Sequence, residues 1–223
     1  MSGLMLQPTG PDAMLRLYDY LPSQNGWKAR QILAHLDLPY EQRLVEIFQG
    51  EQHRPEFQAL NPGGTVPVLE VAPRRAIAES NAILCYLAEG TTYLPADRFE
   101  RAKVMQWLFF EQNYVEPVIG SLRYWTLTGK LERNAAGVPA RRQRGQRSLE
   151  ALDRHLATHE FLAGRYSIAD IALYAYGAWA EEGGFDLAPF PAFRAWAARV
   201  AGQPGHLATR YPYSIDPHAS RDL

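Results

Sequence analysis

Leu15-Arg16-Leu17-Tyr18-Asp19-Tyr20 alternates apolar and other residues, and Pro22-Ser23-Gln24-Asn25-Gly26 then breaks the run with turn-forming residues. A short strand that ends in a turn is predicted. From Trp27 the period changes. Ala29, Ile32, Leu33 and Leu36 fall at i, i+3, i+4 and i+7, so a helix with one buried stripe is expected from about Asn25 until Asp37 and Pro39 stop it. Leu44, Val45 and Ile47 suggest a second strand. Strand, helix and strand in this order make a unit with parallel strands and a right-handed crossover.

Further along, the polar stretch Gly50 to Arg54 leads into Pro55-Glu56-Phe57, a short helix start, and Asn61-Pro62-Gly63-Gly64 ends it with strong turn chemistry. Val66 to Val71 and Ala76 to Ala78 read as two strands joined around Pro73-Arg74-Arg75. Ser80 opens a helix over Asn81 to Glu89. Residues 14–90 are therefore an α/β domain, and residues 91–97, with Pro95 among them, a linker. After it the strand signals stop, and residues 98–223 read as an all-α domain. Phe99 to Thr128 carries Ala102, Met105, Leu108, Val115, Ile119 and Leu122 on a helical repeat that Pro117 is expected to bend. A second long helix is expected over Ala140 to Thr158. Ser167-Ile168-Ala169-Asp170 has the form of a capping box before an apolar helix from Ile171 to Ala180, and Pro191 to Ala201 makes one more. The tail from Gly205 reads as irregular.

The composition suits a soluble chain of one to two domains: 223 residues, 47% hydrophobic and 21% charged, with a formal net charge of -1. That charge supplies no field for nucleic acid or an anionic membrane. Residues 1–13 contain no Lys or Arg and read as a flexible N-terminal extension rather than a signal peptide. The longest apolar run, Ile171 to Ala180, is ten residues, about half of the ~20 that span a bilayer. Cys85 is the only cysteine, which excludes an internal disulfide and a multi-cysteine metal site and suits a reducing compartment, the cytoplasm. His155 and His159 share a helix face but lack the HExxH pattern and a third ligand, so a solvated face and no metal are expected. Arg141, Arg142, Arg144 and Arg147 spread around a helix that also carries Glu150 and Asp153.

Three motifs in order, Ser23-x-Asn25 after the first strand, Asn61-Pro62-x-Gly64-x-Val66-Pro67-Val68-Leu69, and Glu79-Ser80-Asn81-Ala82-Ile83, resemble the cytosolic glutathione transferases. Tyr166-Ser167-Ile168-Ala169-Asp170 resembles that family's capping box in the helical domain, and Met105 to Gln112 resembles the long helix of a bacterial subset. The resemblance covers about Met14 to Ala208. It implies a thioredoxin-like N-terminal domain (βαβ-α-ββα), an all-helical glutathione transferase C-terminal domain, glutathione as co-substrate, and a homodimer.

Transfer of glutathione to an electrophile needs the thiolate, because the thiol is the poorer nucleophile. Lowering a thiol pKa of about 8.5 by two units means stabilising the anion by about 2.7 kcal/mol. A hydroxyl that donates to sulfur at a helix N-terminus could supply this. Ser23 stands where such a hydroxyl is needed, although a serine there also serves as an N-cap. Asn25 could donate its amide to the same sulfur. The resemblance further implies a cis Val66-Pro67 bond that lets the backbone pair with the cysteinyl part of glutathione, and Glu79 and Ser80 on the γ-glutamyl end. Gln52, ahead of His53, is ranked first for the glycyl carboxylate. The Ser23–Gly26 turn holds no cysteine, which excludes dithiol exchange there, and it lacks the serine-rich, cysteine-containing turn of the family's isomerase branch. Tyr114, Arg123, Tyr124 and Trp125 are candidates for an electrophile site between the domains, and core packing is the competing account of them. The leading expectation is conjugation of glutathione to a small electrophile. Glutathione-dependent disulfide reduction and a non-catalytic binding role are the alternatives.

Overall fold

Leu15, Leu17 and Asp19 are buried while Arg16 and Tyr18 are half-buried, the two-residue alternation of a strand with one face on a core. In the computed structural model, which describes residues 14–223, this is β1 (Leu15–Asp19). The N-terminal extension expected over residues 1–13 lies outside the described residues. The turn leads into α1 (Gln24–His35), then β2 (Tyr40–Leu44), the short α2 (Pro55–Gln58), the hairpin β3 (Val68–Ala72) and β4 (Arg75–Ala78), and α3 (Ser80–Ala88). The sheet order is β2-β1-β3-β4, with β1 parallel to β2, β3 antiparallel to β1, and β4 antiparallel to β3. This is the thioredoxin-like arrangement. Leu17 pairs with both Gln42 and Leu69, so the turn after β1 leaves the centre of the sheet.

The second strand differs from the expectation at Leu44, Val45 and Ile47. It ends at Leu44. Val45 N–H still reaches Asp19 C=O at 2.8 Å, and Ile47 N–H then bonds Val45 C=O at 2.9 Å and turns the chain away. An edge strand pairs on one side only, so polar Glu41, Gln42 and Arg43 suit it, and the apolar residues after it pack elsewhere: Val45 is in a core cluster with Phe57 and Val68.

The chain divides into two compact units, one running to Thr91 and including Gly205–Leu223, the other Thr92–Pro204. The tail expected with the helical domain thus belongs to the first unit. It has no apolar stripe of its own, and its backbone is taken up by α1. Trp27 Nε1 donates to Leu207 C=O at 3.1 Å, and Gln31 bonds Gly205 C=O and Leu207 N–H at 3.0 and 2.7 Å.

The second unit is all helical: α4 (Arg98–Phe110), a π-helical stretch over Glu111–Gly120, α5 (Ser121–Leu127), α6 (Val138–Leu156), α7 (Ile168–Gly177) and α8 (Pro191–Ala201). Pro117, which has no N–H to give, sits within the π-helical stretch, where the helix widens instead of breaking. α7 starts at Ile168 rather than Ile171, because Ser167 itself is the N-cap. Ile168 through Ala175 are all buried, which makes α7 the core helix of the unit. Among the described residues no helix is long and apolar enough to cross a membrane.

Candidate functional site

Ser23 ends the turn with extended backbone, its N–H bonded to Tyr20 C=O at 2.8 Å and its C=O accepting the first helical bond from Trp27 N–H at 3.0 Å. Its Oγ accepts from Gly26 N–H at 3.2 Å. No acidic residue stands in the first turn of α1, and no acceptor among the described residues takes the Ser23 hydroxyl hydrogen. Ser23 and Asn25 are both half-buried. Asn25 Oδ1 accepts from Ser80 Oγ at 3.1 Å, which ties the start of α1 to the start of α3. Tyr20, the other hydroxyl near the turn, is buried among the tail residues. Burial first, and then the Asp216 carboxylate beside it, push its pKa up, so it stays protonated.

The Val66-Pro67 bond is cis. Asn61 shapes the loop before it, donating to Thr65 C=O and Oγ1 at 2.9 and 3.0 Å while accepting from Gly63 N–H at 2.9 Å. Glu79 precedes α3 at φ 67, a left-handed backbone that a non-glycine residue adopts at a cost of about 1–3 kcal/mol, as functional sites often do. Its side chain is exposed, and Ser80 beside it is buried at the helix start. Gln52 is 4% exposed; its Nε2 pairs with His53 Nε2 at 3.2 Å, and its Oε1 has no donor among the described residues.

Lys28 is a further member of the site that the apolar pattern of α1 does not mark. Its ammonium is fully buried and donates to Ser80 Oγ at 3.5 Å, which places a cation at the N-terminus of α3. Its mark in the sequence is a charge about one turn after Asn25, outside the apolar periodicity of the helix.

In the helical unit the four electrophile-site candidates are largely occupied by local contacts. Arg123 is buried against Glu182 at 2.5 Å. Tyr124 hydroxyl accepts from Lys130 Nζ at 2.8 Å, and Trp125 lies under the Arg141 guanidinium at 4.6 Å. Tyr114 is 51% exposed, its ring 5.1 Å from that of Phe110. His155 departs from the expected solvated face. It is half-buried between the rings of Trp107 (4.6 Å) and His159 (4.0 Å), with Nε2 2.9 Å from Leu162 C=O. Among the described residues no group of three His, Cys, Asp or Glu could hold a metal.

Residues 22–89 match the family description "Glutathione S-transferase, N-terminal domain", and residues 104–204 match "Glutathione S-transferase, C-terminal domain". The chain belongs to the glutathione S-transferase family. The disulfide-bond oxidoreductase YfcG of Escherichia coli is 32% identical over 206 residues, covering 86% of this chain and 92% of its own. Glutathione S-transferase 1 of Schizosaccharomyces pombe is 32% identical over 219 residues, covering 88% and 95%. Among solved structures, a possible glutathione S-transferase from Rhodopseudomonas palustris superposes with a TM-score of 0.84 at 44% identity, covering 88% of this chain and 90% of that one. A Burkholderia graminis glutathione transferase with two glutathione molecules bound per subunit gives 0.77 at 30%, covering 89% and 88%. In this glutathione S-transferase family member the first match runs from the β1–α1 turn to α3, the stretch that brings Ser23, Asn25, the cis-proline loop and Ser80 into one unit.

Proposed function

We propose that the first unit binds reduced glutathione as its thiolate and that the enzyme, acting in the reducing cytoplasm as a two-fold dimer, transfers it to a small electrophile. The observation that carries this reading is the Ser23 hydroxyl: capped from below by Gly26 N–H, at a helix N-terminus, half-buried, with its own hydrogen uncommitted. Ser23 donates to the sulfur, and Asn25, whose carbonyl oxygen accepts from Ser80, supplies its amide to the same sulfur. The backbone at Val66, ahead of Pro67, pairs with the cysteinyl part. The N–H groups at the start of α3, that of Ser80 among them, receive the γ-glutamyl carboxylate with the buried Lys28 ammonium behind Ser80 adding its charge, Glu79 receives the γ-glutamyl ammonium, and Gln52 the glycyl end. In the step itself the sulfur lone pair forms a bond to the electrophilic carbon and the leaving group departs with its electrons. Of the four candidates beside the long helix, Tyr114 has the ring surface to meet an apolar co-substrate.

Disulfide reduction is a second reading, favoured by the likeness to YfcG and by the relative with two glutathiones per subunit. The same thiolate would attack a disulfide sulfur and expel the other thiolate, so no protein cysteine is needed and Cys85, within α3, can stand aside. Titration calorimetry with reduced glutathione tests the shared premise: a Kd below millimolar is expected, and weaker binding overturns both readings. Conjugation of an aryl halide against reduction of a small disulfide then separates them. Light scattering is expected to give twice the 25.2 kDa chain mass, and a concentration-independent monomer overturns the dimer.

A further inference from the structure

Beneath the catalytic turn lies a charge pair that neither the sequence pattern nor the family likeness singles out. Asp19, the last residue of β1, is fully buried; its Oδ2 lies 3.1 Å from Arg30 Nη1 and accepts from Gln42 Nε2 at 3.2 Å. Arg30, on α1 and 7% exposed, turns Nη2 back to Leu21 C=O at 3.0 Å, while its Nη1 faces Asp19 as a charge contact without a hydrogen bond to it. One guanidinium thus joins the end of β1 to the loop two residues before Ser23. The grip continues at Gly26, where any Cβ would overlap Asp19 Oδ1. That oxygen has no hydrogen-bond donor among the described residues.

A buried ion pair is a poor way to stabilise a fold, because desolvation roughly cancels the attraction and apolar residues of equal volume do as well. What a guanidinium adds is a planar fork, one arm of which hydrogen-bonds a backbone carbonyl while the other keeps its charge against a carboxylate, which neither an apolar chain nor a lysine reproduces. We propose that Arg30, anchored on Asp19, is a positioning residue for the glutathione chemistry: by holding the Leu21 carbonyl it fixes the turn so that the Ser23 hydroxyl meets the sulfur. The inference rests on the reading of Ser23 as the thiolate donor. Among the described residues Gly26 N–H is the one hydrogen-bond partner of the Ser23 side chain, so its position follows closely from its backbone, and that backbone is set by Tyr20 C=O, Leu21 C=O and the contact of Gly26 with Asp19. A site placed a fraction of an ångström too loosely loses much of a charge-assisted hydrogen bond.

Arg30→Lys keeps a cation opposite Asp19 and loses the fork. In the full-length protein the pKa of bound glutathione, followed by thiolate ultraviolet absorbance, is expected to rise by about one unit, with affinity at low pH within about twofold. Turnover near neutral pH falls about tenfold and recovers at higher pH, where thiolate forms without help. A merely structural defect lowers turnover equally at every pH and leaves the titration in place. Should this variant unfold, the double variant Asp19→Asn with Arg30→Met removes the charges together, preserves the volume, and is expected to show the same upward shift. A folded variant of either kind whose bound thiol titrates as in the wild type overturns the inference alone. A wild-type complex that titrates at the ordinary thiol value overturns the functional reading, and the inference with it.

Discussion

Two helices in this molecule begin with the same serine cap, and their difference separates a structural device from a chemical one. At α7, Ser167 accepts from Ala169 N–H at 3.3 Å and gives its hydroxyl hydrogen to Asp170 Oδ2 at 3.2 Å. Asp170 also accepts from Ser167 N–H (3.0 Å), Leu162 N–H (3.0 Å) and Trp196 Nε1 (2.9 Å), so every polar group of this fully buried cap is paired inside the unit. At α1, Ser23 accepts from Gly26 N–H, but no carboxylate stands three residues on to take its hydrogen. The first arrangement is closed and serves folding. The second is one hydrogen bond short of closure, and a buried or half-buried donor left in that state is suited to a ligand acceptor.

The strongest way to break the closed cap is Asp170→Ala, which strands four donors in the core of the helical unit. We expect a loss of about 3–5 kcal/mol in denaturant unfolding, with the thiol titration of bound glutathione unchanged in the protein that remains folded. A loss below about 1 kcal/mol would show that the network does not order α7. Gly26→Ala attacks the open cap from below, since its Cβ meets Asp19 Oδ1. It is expected to cost about 1–3 kcal/mol and, unlike Asp170→Ala, to raise the pKa of bound glutathione. Unchanged melting would mean that the turn yields freely.

Ser167→Ala sharpens the contrast. It should cost about 0.5–2 kcal/mol of stability and nothing in thiolate formation, and calorimetric melting with the ultraviolet titration checks both halves. The smallest effect concerns acid. Burial, above all, holds the pKa of His155 below its usual 6.5, with His159 and Lys103 adding to it against the Leu162 hydrogen bond. Its contribution to stability is therefore complete above pH 6.5 and is lost as pH falls from there toward the lower folded value. His155→Gln should lessen the decline in stability between pH 7 and 5 by less than about 1 kcal/mol after solvent screening. Asp170, which burial pushes up to about 6, acts in the opposite sense, losing its contribution as pH rises from about 4 to 6, so the variant is compared with wild type rather than with a flat profile.

Much of the fold is legible in local pattern. The two-residue alternation of β1, the helical spacing of Ala29, Ile32 and Leu33, and the Ser167–Asp170 box each act within a few residues, and the chain folds as they indicate. Apolar pattern places β2 too late, because this edge strand is built from polar residues and the apolar signal belongs to Val45 and Ile47 beyond its end. Lys28, Asp19 and Arg30 escape a sequence reading because a charged residue is assumed to face water, whereas here each is buried by partners far away in the chain, such as Ser80 and Gln42. The aromatic residues Tyr124 and Trp125 have the composition of a ligand wall, yet their faces and hydroxyl are taken by Lys130 and Arg141. Most telling, Ser23 and Ser167 look alike as caps, and only the neighbour that takes or leaves the hydroxyl hydrogen tells them apart.

On that hydrogen the proposed chemistry turns, and the titration of glutathione bound to wild type, Ser23→Ala and Asn25→Ala reads it directly. The wild-type complex is expected to titrate well below the ordinary thiol pKa of about 8.5. Ser23→Ala should raise that value by roughly one to two units, with binding at low pH little changed, since the neutral thiol gains less from the donor. Asn25→Ala should raise it less. If Ser23→Ala leaves the curve unmoved while Asn25→Ala shifts it upward, Ser23 is only a cap, like Ser167, and the thiolate belongs to Asn25.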